Sequence, residues 1–152
     1  MNIKKVGLER RHVPNFSFES EDEKGATVVI KNRDLTVDDQ VVVSIKLATE
    51  VNLSSYNNTF QTYDKNTKQL KHYTSPQTEH VVSKHLLSID NLSYNGEKIT
   101  TAIALIQKAK NEISLSQIVL DCYNAICAHE LYLCEPGKKA SKVDEEDTFL
   151  GE

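Results

Sequence analysis

Apolar residues recur at helical spacing from Ile113 to Leu133. Placed about 100° apart, Leu115, Ile118, Val119, Cys122, Ile126 and Leu133 make one stripe. Leu120, Cys127, Leu131 and Cys134 make a second stripe beside it. Gln117, Asp121, Asn124, Ala128 and Tyr132 are left to face water. Ser114 and Gln117 have the spacing of a capping box, Ile113 and Ile118 that of a hydrophobic staple, and Glu135-Pro136-Gly137 is a stop. An apolar arc this wide predicts a long buried helix, in a core or at a subunit contact.

Upstream the pattern changes period. Phe16-Ser17-Phe18 alternates, Thr27-Val28-Val29-Ile30 is β-branched, and the polar Glu19–Gly25 segment between them predicts a hairpin. Thr36 with Asp39 has capping-box spacing and predicts a helix over Val37–Glu50, with Val37, Val41, Ile45 and Ala48 on one face. The run Val41-Val42-Val43 makes a strand the competing reading. Acids clustered in the first turn favour the helix.

Residues 52–78 carry few large apolar side chains and predict a polar insert loop. Near its end, Ser75-Pro76 suits a helix start running through Val81, Val82, His85, Leu86 and Ile89. Asn95-Gly96 signals a tight turn. Thr100 or Thr101 then caps a short helix to Lys110, which forms an αα-hairpin with the long helix. The expected class is α+β: a small N-terminal β-hairpin or sheet, then a helical region ending in the long helix, with flexible ends. Residues 1–14 read as a basic arm, 15–136 as one domain and 137–152 as an acidic tail.

At 152 residues the chain is one domain's worth. A net charge of −4 disfavours a general nucleic-acid binder. Tyr56, Phe60, Tyr63 and Tyr73 among Lys65, Lys68 and Lys71 are read as aromatic punctuation of a polar loop rather than a base-stacking surface. No apolar run approaches the ~20 residues that span a bilayer, and no secretory h-region follows Met1, so cytosolic synthesis is expected.

Cys122, Cys127, His129 and Cys134 are potential metal ligands. On one helix they lie on different azimuths or two turns apart, so one tetrahedral zinc ion cannot gather all four. The cysteines sit inside a helix rather than at its N-terminus, where a thiolate is favoured. His80 and His85 stand five apart, about 140° round a helix. Glu19, Glu21, Asp22 and Glu23 lack the calcium-loop pattern. The expectation is therefore no catalytic residue, no cofactor and no metal site. The contact candidates are the charged ends: Lys4, Lys5, Arg10 and Arg11 in the arm, and Asp144, Glu145, Glu146, Asp147, Phe149 and Leu150 in the tail.

Ser88-Ile89-Asp90-Asn91-Leu92, then Asn95-Gly96-Glu97-Lys98-Ile99-Thr100-Thr101, a short helix and a longer one resemble small morphogenesis proteins of tailed bacteriophages. These include tail-assembly chaperones and small tail, baseplate or neck proteins. The N-terminal hairpin and the Leu35-Thr36 start are similar in organisation, while 52–78 departs from the compact pattern. The resemblance implies a non-enzymatic assembly or structural protein in the host cytoplasm, with incorporation into the virion open. Its partners would be other phage structural proteins or copies of itself, with no membrane and no nucleic acid. The alternatives are a host-directed phage or bacterial regulatory binding protein and, from the enzyme class, a thiol- or metal-dependent activity.

Overall fold

The computed structural model describes residues 1–2, 7–60 (main chain only over 57–60) and 74–128. The fold is α+β: small antiparallel sheets lie mostly in the N-terminal half, and helices fill the rest.

The period-2 alternation of Val41, Val43, Ile45 and Leu47 decides the centre of the molecule. All four are buried in the main core, and Val43 and Ile45 lie on strand β4 (Val42–Lys46). The helix expected over Val37–Glu50 is thus corrected to a strand. Thr36 and Asp39 do bond, hydroxyl to carboxylate at 2.8 Å, and the amides of Asp39 and Gln40 donate to the Thr36 carbonyl. That single turn goes no further, because the β-branched residues at 41–43, all three buried, favour extended backbone.

β4 is the middle of a three-stranded antiparallel sheet ordered β1-β4-β5, with β1 at Glu9–His12 and β5 at Leu86–Asp90. The N-terminal arm expected over 1–14 is corrected accordingly. Over Glu9–His12 it is a sheet strand, and Val13 and Pro14 beyond it are fully buried. A bulge between Ser44 and Ile45 leaves Leu87 half-exposed, since an extra residue on one strand breaks the facing pattern.

The hairpin forms as expected, β2 (Ser17–Glu21) against β3 (Thr27–Lys31), with Phe18 opposite Ile30. Asp22 closes its loop by accepting from the amides of Lys24 and Ala26, both at 2.9 Å. This is the ordinary Asx-turn use of an aspartate. The Asn-Gly turn also holds: Asn95 and Gly96 have φ of 50° and 83°, as a primed turn requires, between β6 (Ser93–Tyr94) and β7 (Glu97–Lys98).

Part of the expected insert is helical. α1 runs Glu50–Phe60, opened by a reciprocal exchange in which Asn52 N–H donates to Thr49 Oγ1 and Thr49 N–H donates to Asn52 Oδ1. Residues 61–73 lie outside the described residues. Ser75 caps α2 (Pro76–His85), which stops at β5 instead of reaching Ile89. Thr101 caps α3 (Ala102–Ala109).

α4 runs Ile113–Cys127 with Glu112, not Ser114, as N-cap. Its first predicted stripe is buried from Leu115 to Ile126, whereas Leu120 of the second is exposed. The expected continuation through Leu131, Leu133, Cys134 and Glu135-Pro136-Gly137 lies outside the described residues, as does the acidic tail. Helices α2, α3 and α4 pack on one another and on the inner face of the sheet, and this is the core.

Candidate functional site

Three strained or polar placements shape one cleft. Asn32, fully buried, donates to the carbonyls of Pro14 and Val41 and accepts from the Val41 amide, at 2.8–3.0 Å. It thereby fixes the end of the hairpin to the start of β4. Asn91 adopts a left-handed φ of 68° that asparagine tolerates, and its Nδ2 donates to the carbonyls of Asp38 and Gln40. Gln117 on α4 accepts from the Ser17 amide, holding the hairpin beside the first turn of that helix.

Between these ties lies a cleft of about 730 Å³. Its floor is Phe16, Phe18, Val41, Leu92 and Leu115, and the two Phe rings stand 6.0 Å apart. Val29 and Ile113 edge it and are well exposed, at 69% and 56%. Glu19, Asp39 and Glu112 also line it, without a Lys, Arg or His among the described residues. Glu112 is shared between the α4 cap and the Tyr94 hydroxyl at 3.2 Å, while Asp39 accepts from Thr36. An apolar floor with carboxylates at the edge suits a groove that holds large side chains of a partner.

The ionisable groups that resemble catalytic sets sit elsewhere and tie elements together. His12 Nε2 donates to Asp121 Oδ2 at 2.8 Å, joining β1 to α4 through a side chain only 5% exposed. His85 Nδ1 donates to the Lys46 carbonyl at 2.9 Å, which leaves Nε2 to accept from the Tyr56 hydroxyl at 3.0 Å. That chain joins β4, α2 and α1. Burial, opposed by the carbonyl bond and helped by the Lys46 charge, holds His85 below the usual imidazole range. His80, edge-on to Tyr56, is lowered by burial, then by Lys84 and by His85.

Cys122 is completely buried, and burial, with the Asp121 charge adding to it, pushes its thiol far above the usual range. Burial also raises Cys127, against the lowering effect of its bond with Tyr123. Among the described residues no three His, Cys, Asp or Glu are placed to hold a metal ion. His129 and Cys134 lie outside the described residues.

Of the charged-end candidates, Arg10 and Arg11 are described, and both belong to β1. Arg11 reaches Ser44 Oγ at 2.9 Å and Asp90 at 2.8 Å across the outer face of the sheet. Arg10 donates to the carbonyls of Gly7 and Glu9. Neither lines the cleft. Lys4, Lys5, Asp144, Glu145, Glu146, Asp147, Phe149 and Leu150 lie outside the described residues. The cleft itself escaped sequence reasoning. Phe16, Phe18 and Ile113 were legible only as a strand and a staple, Asp39 only as a helix cap and Glu19 only as a hairpin-loop acid.

Among the described residues no helix is long and apolar enough to cross a membrane. Comparison with protein-family models, with curated proteins and with solved structures gives no match.

Proposed function

We propose that this chain is a non-enzymatic protein that works through protein–protein contacts in the assembly or structure of a tailed-phage particle. The observation that carries the contact part of this reading is the cleft: an apolar floor, exposed Val29 and Ile113 at its edge, and carboxylates around it. The phage part comes from the Ile89–Thr101 passage and the two helices that follow it. The buried imidazoles support the same reading, since each is committed to joining elements: His12 to α4, and His85 to β4 and α1.

Mass spectrometry of purified particles, beside a pull-down with the tagged chain from infected cells, tests the proposal. Recovery of phage structural proteins with the chain is the expected result. Recovery of host regulatory proteins alone, with none of the particle's components, would replace it with the host-directed alternative.

A further inference from the structure

The phase of the β2–β3 ladder can be read from one bond. The Asn32 amide donates to the Phe16 carbonyl at 2.9 Å, and the register runs Ser17 opposite Lys31 and Phe18 opposite Ile30. Bonded pairs alternate along an antiparallel ladder, so Phe18 and Ser20 turn their main-chain groups toward β3. Ser17, Glu19 and Glu21 turn theirs away from it. Gln117 takes the Ser17 amide. The next outward position is Glu19, and it lies on the cleft.

The β1 edge of the three-stranded sheet is treated differently. The Leu47 amide bonds the Leu8 carbonyl at 2.8 Å, so by the same phase Gly7 and Glu9 turn their carbonyls away from β4. Both of those carbonyls are occupied by the Arg10 guanidinium. A side chain thus blocks the β1 edge, in the manner by which proteins guard open edges. The β2 edge at Glu19 opens instead on an apolar floor flanked by acids.

We infer that the cleft receives an extended, basic segment of a partner protein. That segment adds as a strand to the outer edge of β2 and lays a large apolar side chain on Phe16 and Phe18. Main-chain pairing supplies affinity in this mode, and alternate side chains supply specificity. Alternation places every second residue on the floor and leaves the intervening Lys or Arg near Glu19, Asp39 and Glu112. With no cation among the described lining residues, those carboxylates select a basic segment over an acidic one. This inference rests on the cleft being a partner groove and is independent of whether that partner comes from a phage.

Titration of the full-length, isotope-labelled chain with nine-residue peptides tests it by amide chemical shifts. The probes are a peptide alternating Lys with Phe and Leu, its Glu-for-Lys counterpart, its Ser-for-Phe/Leu counterpart, and the first peptide N-methylated at alternate residues. The first should move the amides of Phe18, Glu19 and Ser93, and each of the others should bind at least about tenfold more weakly. Glu19→Lys, on an exposed hairpin position, should weaken the first peptide to a similar extent. If that variant fails to fold, the peptide series on the unchanged chain decides alone.

Equal binding of the acidic peptide, or indifference to N-methylation, overturns the inference. Concentration-dependent shifts at the same amides without peptide overturn it too, because a second copy would then be the occupant. Peptide binding in a chain that recovers no particle components leaves the inference standing and removes only the phage reading.

Discussion

Asn32 shows how much one buried polar side chain holds here. Its amide satisfies two carbonyls and one N–H that have no water to turn to. Asn32→Ala leaves all three unpaired and should lower unfolding free energy by about 3 kcal/mol or more, measured by urea melts. His85 gives a second prediction at this scale. Its folded pKa lies below the unfolded value of about 6.5, so the unfolded chain binds more protons as the solution is acidified. Stability should therefore be full above the unfolded pKa and fall as pH drops through it toward the folded one. His85→Gln should flatten the melting temperature between about pH 7 and pH 5. An unchanged slope would assign the pH dependence to other groups. None of this was visible in the sequence. His12 and Asp121 are 109 positions apart, and His85 meets a main-chain carbonyl 39 positions away. No local spacing announces such pairs.

At the scale of elements, local chemistry was legible wherever it agreed with the fold. The hairpin, the Asn95-Gly96 turn, the Ser75 and Thr101 caps and the buried stripe of α4 each rest on neighbours within about one or two turns of chain. β4 was misread because Thr36 and Asp39 have capping-box spacing, and bond side chain to side chain, while the chain beyond them places every second residue in the core. α1 was missed because its opening uses Thr49 and Asn52 rather than a Thr–Glu pair, within a segment poor in large apolar residues. β1 was hidden by its charges: Glu9 and Arg11 face out, and Arg10 is spent on edge carbonyls. That use of Arg10 makes a prediction. Arg10→Ala should expose the carbonyls of Gly7 and Glu9 and produce concentration-dependent self-association in sedimentation. Arg11→Ala, which breaks an exposed ion pair with Asp90 and a bond to Ser44 Oγ but frees no edge carbonyl, should leave the sedimenting mass that of the unsubstituted chain. Monomeric behaviour of both variants would show that the β1 edge needs no guard.

At the scale of the whole molecule, the cleft exists only because three distant segments are tied to each other: the hairpin to β4 by Asn32, 38–40 to the turn at Asn91, and Ser17 to α4 by Gln117. A reading by period cannot see it. The same connectivity reverses an expectation about the N-terminus. Treated as an arm, residues 1–13 would be dispensable for folding. As found, their removal strips β1 from the sheet, exposes Val43 and Ile45 on one side, deletes the His12–Asp121 tie and takes Val13 out of the core. A chain beginning after residue 6 keeps Gly7, Leu8 and every bond of β1 among the described residues. Thermal melts of the two truncations should therefore diverge. Loss of 1–6 should leave the transition in place, whereas loss of 1–13 should shift it down by several degrees or abolish it, since ~1 kcal/mol is worth roughly 2–4 °C in chains of this size. Deleting Lys4 and Lys5 with the first cut also asks whether those charges serve association. Weaker partner recovery from the shorter cut, with folding intact, would assign them that role. Equal melting of the two truncations would show that β1 contributes nothing to the sheet it edges.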